Sequence, residues 1–90
     1  MKKRDRLEII NDILHLISSR DAKPTQIMYK ANLSHEMLSQ YMNELLAKNF
    51  IIEKKDKKGQ RTYSLAEKGI NFLRDYTLIK NFVDSYGLNE

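Results

Sequence analysis

Residues 24–65, PTQIMYKANLSHEMLSQYMNELLAKNFIIEKKDKKGQRTYSL, are the most informative part of the chain. A short helical segment comes first, followed by a tight turn and a longer amphipathic helix. Two alternating segments joined by a lysine-rich loop come next, a pattern that is typical of a β-hairpin. The order of these segments predicts a helix-turn-helix followed by a hairpin wing, which is an arrangement that can read DNA.

The turn between the two predicted helices is formed by residues 31–34, ANLS. Asn32 tolerates the left-handed backbone conformation that commonly ends a helix. Ser34 is a favourable N-cap for the next helix, and the leucine between them can anchor the turn by burial. We therefore expect helices over 24–31 and 35–48 that meet at a sharp angle.

The helix predicted over 35–48 is strongly amphipathic at the helical repeat of about 3.6 residues. Its inward face is expected to carry Met37, Leu38, Tyr41, Met42, Leu45 and Leu46. Its outward face is expected to be mostly polar and to carry Glu36, Ser39, Gln40, Asn43 and Ala47. The shorter helix before it should turn Ile27, Met28 and Ala31 inward.

Two strands are expected after these helices, over residues 50–54 and 61–65. In the second strand, Tyr63 and Leu65 should point inward, because side chains alternate between the two faces of a strand. Gly59 can supply the positive φ that the connecting loop requires. The strands should therefore pair as an antiparallel hairpin.

The flanking sequence predicts one helix before this stretch and one after it. Residues 5–19 carry apolar side chains at helical spacing, namely Leu7, Ile9, Ile10, Ile13, Leu14, Leu16 and Ile17. A last helix is expected over 66–86, ending at Gly87. The predicted fold class is mainly α with a small β-hairpin. We expect one domain over 1–90, in which 5–65 form the winged helix-turn-helix.

The positive charge of the chain is concentrated in two places. The formal net charge is +4. The loop over 54–61 has five basic residues and one acid, and residues 2–6 have four basic residues and one acid. The rest of the chain is therefore net negative. Such patches suit a polyanion, chiefly through release of counterions from phosphates, although charge runs also keep small proteins soluble.

Nothing in the sequence predicts an enzyme. His15 and His35 are the only histidines, cysteine is absent, and the three glycines are too scattered to form a phosphate-binding loop. We therefore expect no catalytic residue, metal or cofactor, and no small-molecule ligand is evident from the sequence. Polar and charged residues interrupt the apolar residues of 7–17, so neither a signal peptide nor a membrane-spanning helix is expected. The expected location is the cytoplasm, in association with the nucleoid.

The helix-turn-helix geometry assigns roles to exposed side chains, because its second helix lies in the major groove. Base contacts are expected from His35, Glu36, Ser39, Gln40 and Asn43. Phosphate contacts are expected from Lys30, Lys54, Lys55, Lys57, Lys58 and Arg61, with Thr25 and Gln26 as further candidates. The alternative is a protein-interaction module with no DNA contact. The polar outward face favours DNA, since a docking surface for protein would expose an apolar patch.

The C-terminal helix carries a second pattern, with positions alternately four and three residues apart. They are Leu65, Gly69, Phe72, Tyr76, Ile79, Val83 and Tyr86. This spacing is the repeat of a coiled coil, whereas the neighbouring row of Ile70, Leu73 and Thr77 should pack on the rest of the chain. We expect a homodimer with an interface of Phe72, Tyr76, Ile79, Phe82, Val83 and Tyr86. Alternatively, the helix folds back over its own domain.

The sequence also resembles a known group of proteins. The runs IMYKANLSHEMLSQYMNELLAKNFIIEK and YSLAEKGINFL are similar to small archaeal winged helix-turn-helix DNA-binding proteins, both ArnR-type regulators and crenarchaeal chromatin-associated proteins. The resemblance covers about residues 7–86. It implies a dimer on double-stranded DNA, with 35–48 as the reading helix, 54–61 as the wing and antiparallel C-terminal helices. In such proteins a threonine often caps the last helix, whereas this chain has Ala66 at that position.

The pattern and the resemblance together predict a protein that binds double-stranded DNA, either specifically or generally, and regulates transcription. The spacing of the C-terminal helix does not define the relative direction of the two copies. The sequence also leaves open the preferred DNA site, any effector and the sign of regulation.

Overall fold

The computed structural model describes residues 4–19 and 22–87, and within them the chain forms four helices and one two-stranded sheet. The elements are α1 (Arg6–Ser19), α2 (Pro24–Ala31), α3 (His35–Ala47), β1 (Ile51–Lys55), β2 (Arg61–Leu65) and α4 (Glu67–Ser85). The predicted fold class, mainly α with a small β-hairpin, is confirmed. Lys2 and Lys3, which belong to the N-terminal basic run, lie outside the described residues.

The turn between α2 and α3 has the predicted conformation. Asn32 adopts left-handed backbone angles, with φ 57° and ψ 52°. The N–H of Leu33 donates to the carbonyl of Met28 at 3.1 Å, which satisfies a carbonyl in the last turn of α2. The Ser34 hydroxyl accepts from the N–H of Met37 at 3.1 Å and caps α3. Local hydrogen bonding therefore sets the angle at which α3 leaves α2.

The core lies between α1, α2, α3 and the hairpin. Its most deeply buried large side chains are Ile13, Leu14, Ile27, Leu45 and Ile51. The prediction that Met37 points inward is wrong, because this residue is 40% exposed, and Leu7, one of the apolar residues at helical spacing in α1, is 51% exposed. Both lie in the first turn of a helix, where the apolar stripe continues but no other element of the described chain covers it.

The hairpin starts one residue later than predicted. The N–H of Phe50 donates to the carbonyl of Leu45 at 2.9 Å, so it caps the last turn of α3 instead of pairing in the sheet. Asn49 has a φ of 64°, which turns the chain out of the helix. From Ile51 onward, β1 pairs antiparallel with β2. The link between α1 and α2 joins this sheet, because Ala22 forms a bridge with Tyr63.

The first half of α4 packs on the domain through an unusually close contact. A Cβ placed on Gly69 would lie 2.3 Å from the carbonyl oxygen of Phe50. One turn later, the ring of Phe72 meets the ring of Phe50 edge-on, with centroids 5.8 Å apart. The predicted inward position of Ile70 is wrong, since 54% of this residue is exposed. The Gly69 contact sets the rotation of α4 and turns Ile70 outward.

The second half of α4 extends beyond the rest of the domain. Its exposed apolar and aromatic side chains are Leu78, Ile79, Phe82, Val83 and Tyr86. The described chain measures 48 Å along its longest axis and only 29 and 21 Å along the other two. Phe72 and Tyr76 differ from this set, because they are half-buried in their own chain.

Candidate nucleic-acid interface

The outward face of α3 is polar and open to solvent. Its exposed side chains include the five predicted base-contacting residues, His35, Glu36, Ser39, Gln40 and Asn43. Leu38, Met42 and Leu45 hold the opposite side of the helix in the core. The helix is therefore anchored along one side while its polar side remains accessible. Its outward positions carry no arginine or lysine until Lys48, which lies at its C-terminal cap.

The hairpin loop presents its lysines on a structured turn. Lys54, Lys55, Lys57 and Lys58 are all exposed. The carboxylate of Asp56 accepts from the N–H groups of Lys58 and Gln60, both at 2.9 Å. Gly59 adopts a φ of 79°, as predicted. The only acid in the loop therefore organises the turn that displays the basic side chains.

The role of Asp56 was missed at the level of sequence, where it appeared only as one negative charge. A local signal was nevertheless present. Aspartate commonly accepts hydrogen bonds from backbone groups a few residues later in a turn, and Gly59 follows it at the position that adopts a positive φ. The spacing D-x-x-G inside a hairpin loop could therefore have indicated this function.

Arg61 is not a free cation. Its Nε lies 3.8 Å from Oε2 of Glu53 on the paired strand. Hydrogen bonding with Tyr63 and the nearby Glu53 carboxylate raise the pKa of the Arg61 guanidinium. Both charged side chains remain substantially exposed, at 62% for Arg61 and 41% for Glu53. The nearby Glu53 carboxylate therefore partly neutralises the positive charge that Arg61 would present to a polyanion.

The exposed side of α2 adds one basic residue. Lys30 shares a shallow surface with Thr25, Gln26 and Tyr29, and the last of these is 87% exposed. The side-chain carbonyl of Gln26 accepts from the N–H of Lys23 at 3.1 Å, so part of this amide is engaged at the start of the helix. Lys30 and Thr25 are accessible on this surface.

The two described arginines of the N-terminal basic run have structural partners. Arg4 donates to the carboxylate of Asp12 at 2.7 Å and to the carbonyl of Ala31 at 2.6 Å. Arg6 forms an ion pair with Glu44 on α3. Hydrogen bonds from Arg6, and then from Lys48, lower the pKa of Glu44 to about 2. These contacts join α1 to the helix-turn-helix.

A cleft of about 250 Å³ separates α3 from the hairpin and is closed on one side by α2. We call it the α3–hairpin cleft. Its buried or half-buried lining is formed by Met28, Leu38, Met42, Leu46 and Tyr63. Its exposed rim includes His35, Ser39, Asn43, Glu53 and Arg61. The fold thus brings three polar side chains of α3 to the same cleft as the hairpin ion pair.

Two further properties concern the part of the chain that the structure describes. It contains no group of three or more histidine or acidic side chains arranged to hold a metal ion. None of its helices has the length and apolar character needed to cross a membrane.

Sequence comparison identifies relatives across most of the chain. A family model described as winged helix-turn-helix matches residues 3–84. An uncharacterised protein of Methanocaldococcus jannaschii is 40% identical over 55 residues, which are 61% of this chain and 57% of that protein. A second one from the same organism is 37% identical over 67 residues, or 74% of this chain and 29% of that protein. The chain therefore spans about half of the first relative and less than a third of the second.

Solved structures share the fold. Sso10a-2, a DNA-binding protein from Sulfolobus solfataricus, has a TM-score of 0.76 at 22% identity, covering 93% of this chain and 87% of that one. A variant of MepR from Staphylococcus aureus, bound to an oligodeoxyribonucleotide, has a TM-score of 0.76 at 14% identity, covering 91% and 63%. At these identities the likeness concerns the fold alone. It confirms the winged helix-turn-helix architecture that the sequence pattern and the resemblance predicted.

Proposed function

The chain belongs to the winged helix-turn-helix family, and we propose that it binds double-stranded DNA and regulates transcription. The observation that carries this proposal is the pairing of an accessible polar face on α3 with a structured, lysine-rich hairpin loop. A major groove about 12 Å wide admits a single helix. The loop can then follow the neighbouring phosphates while α3 lies in the groove. In this proposal, nucleoid association follows from binding to chromosomal DNA.

Base contacts are assigned to the outward side chains of α3. Gln40 and Asn43 carry amides that can pair with N6 and N7 of adenine. Glu36 can accept a hydrogen bond from N4 of cytosine, and Ser39 can adapt to several base edges. His35 lies in the first turn of α3, where it can reach a base edge or a phosphate. These exposed side chains are free of core packing, so they can adjust to a base sequence.

Phosphate contacts are assigned mainly to the hairpin. Because the outward face of α3 has no basic residue before Lys48, most of the electrostatic attraction must come from other elements. The loop supplies Lys54, Lys55, Lys57 and Lys58, and Arg61 on β2 and Lys30 on α2 are further exposed basic side chains. Each phosphate neutralised by lysine or arginine releases counterions and strengthens binding at low salt.

We propose further that the protein acts as a homodimer through the second half of α4. A helix that exposes Ile79, Phe82, Val83 and Tyr86 on one side leaves a large apolar surface in water. Such surfaces are typical of protein–protein contacts. In a pair of α4 helices, Leu78 lies at the margin, while the half-buried Phe72 and Tyr76 lie where the pair meets the domain. A two-fold dimer would present two α3 helices to paired half-sites.

The proposal is tested by titrating labelled duplexes of random and genomic sequence at two salt concentrations. We expect binding that weakens steeply with salt, because phosphate contacts dominate affinity. Gln40→Ala or Asn43→Ala should cost about 1–3 kcal/mol on a preferred site and much less on random DNA. Asn81→Ala, at an exposed amide on α4, is the matched control.

Different outcomes of this titration have distinct meanings. Equal losses on both kinds of DNA would identify general binding through the backbone, the chromatin-type version of the proposal. A dimeric, folded protein that binds neither kind of duplex at low salt would refute the proposed function. The polar face of α3 would then be no more than a solvated surface.

A further inference from the structure

The α3–hairpin cleft has the dimensions of a small ligand site. An apolar cavity of about 150 Å³ accommodates benzene, so a cleft of about 250 Å³ is suited to a molecule with two fused rings. Its floor includes Met28, Met42 and Tyr63. Methionine side chains adapt to flat aromatic surfaces and make favourable sulfur–aromatic contacts. The floor therefore offers an apolar and adaptable surface for a planar aromatic ligand.

The rim of the cleft restricts the charge of such a ligand. Glu53 and Arg61 offer an acceptor and a donor 3.8 Å apart. An anion would compete with Glu53 for the guanidinium, and a cation would compete with Arg61 for the carboxylate. Either ligand would draw one partner of the ion pair away from the other, so part of the attraction between Glu53 and Arg61 would be lost on binding. An uncharged amide edge satisfies both, because it accepts from Arg61 and donates to Glu53.

We propose that the α3–hairpin cleft binds a small, planar, uncharged heteroaromatic molecule with an amide-like edge. The rings lie on the apolar floor, and the edge bridges the Glu53–Arg61 pair. Ser39 and Asn43 on the opposite rim belong to α3 and provide additional hydrogen-bonding groups. Pockets that combine an apolar lining with a few convergent polar groups are typical of small-molecule sites.

The position of the cleft gives this ligand a regulatory effect, an extension that rests on the proposed function. His35, Ser39 and Asn43 line the cleft and also belong to the polar face assigned to DNA. Arg61 belongs both to the rim and to the basic hairpin. Ligand and DNA therefore need the same side chains, so each should weaken the binding of the other by the same factor.

The site can be tested with indole probes, because the chain contains no tryptophan. Indole fluorescence can be excited where tyrosine absorbs little, so the signal reports the probe alone. Indole-3-carboxamide, indole-3-carboxylate and 3-(aminomethyl)indole share one ring system and differ in charge. We expect the carboxamide to bind about tenfold more tightly than either charged probe, the difference between a satisfied and a mismatched charge-assisted hydrogen bond.

A charge-neutral replacement of Glu53 makes the test specific. In Glu53→Gln the guanidinium of Arg61 loses its carboxylate partner, so the order should invert and indole-3-carboxylate should bind best. Asp75→Asn is the matched control, because Asp75 is an exposed carboxylate that lies 3.3 Å from an arginine, Arg74, on α4 outside the cleft. This control should retain the wild-type order. Far-UV circular dichroism verifies that both variants are folded.

The possible outcomes distinguish a failure of the proposed ligand site from a failure of the proposed DNA binding. The absence of binding by all three probes at millimolar concentration, or the same order of affinities in wild type and Glu53→Gln, would overturn the ligand site. Carboxamide binding that leaves the affinity for duplex DNA unchanged would overturn the antagonism. A protein that binds the carboxamide and no duplex at all would refute the proposed DNA function while supporting the site.

Discussion

Replacing Gly69 by alanine should destabilise the protein, even though alanine favours a helix by about 1 kcal/mol over glycine. The added Cβ would lie 2.3 Å from the oxygen and 3.3 Å from the carbon of the Phe50 carbonyl, and 3.4 Å from Cδ2 of Leu65. Because the nearest atoms belong to the backbone, a change of rotamer cannot relieve the contact. The start of α4 must move away by roughly 1 Å to restore normal separation.

The size of the effect follows from what this movement disturbs. Overpacking typically costs about 1–3 kcal/mol. The shift also stretches the hydrogen bond from the N–H of Ala66 to the carbonyl of Phe50, now 3.0 Å long, which contributes about 1 kcal/mol. After the gain in helix propensity is subtracted, we expect a net loss of about 2 kcal/mol. For a domain of this size, that corresponds to a decrease in Tm of roughly 10 °C.

The assay is thermal unfolding followed by far-UV circular dichroism at one fixed protein concentration, since association would make Tm depend on concentration. Asn81→Ala is the control, because it increases helix propensity at an exposed position of the same helix. This variant should melt at or slightly above the wild type. A Gly69→Ala protein that also melts at or above the wild type would refute the close packing of α4 on Phe50.

Three further results are expected. Changing the three lysines at 55, 57 and 58 together to alanine should make the log–log salt dependence of DNA binding shallower by about 0.9 for each phosphate that is no longer neutralised. Ile79→Asp combined with Val83→Asp should convert a dimer into a monomer in sedimentation, because charge is unfavourable in an apolar interface. Glu44 has its pKa lowered from 4.5 to about 2, so its ion pairs should stabilise the fold above pH 4.5 and lose that effect as pH falls toward 2.

Each expectation has a contradicting observation. An unchanged salt slope in the lysine variant would mean that the loop is only a solvated surface. A wild-type monomer at micromolar concentration would exclude pairing through α4. At acid pH, Glu44→Gln should lessen the loss of stability between pH 4.5 and 2. Glu67→Gln, at an exposed carboxylate, is the control for this variant. The same loss of stability between pH 4.5 and 2 in wild type and Glu44→Gln would contradict the ion-pair argument.

Local chemistry made much of the fold predictable. The backbone preference of Asn32 and the capping hydrogen bond of Ser34 define the turn locally. The boundary between α2 and α3 could therefore be placed without knowledge of the other elements. The apolar repeat of α3 identified Leu38, Met42 and Leu45 as core residues. For the same reason its polar residues could be placed outside. These features depend on residues within one or two helical turns of each other.

Periodicity was less reliable where a neighbouring element determines burial. Leu7 and Met37 continue apolar stripes into first turns that no described element covers. Ile70 and Gly69 exchanged their expected roles, because the sequence pattern indicates that α4 has apolar rows but not which row meets the domain. The carbonyl of Phe50 makes that choice by admitting only a residue without a Cβ.

The features of the fold and of the candidate site fall into the same two groups. The sequence by itself determined the order of elements, the turn, the polar face of α3 and the basic hairpin, because each depends on neighbours along the chain. Only the tertiary structure decided the rotation of α4, the pairing of Arg61 with Glu53 and the cleft that joins α3 to the hairpin. These features arise from contacts between separate elements, and their distances depend on how all the packed side chains fit together.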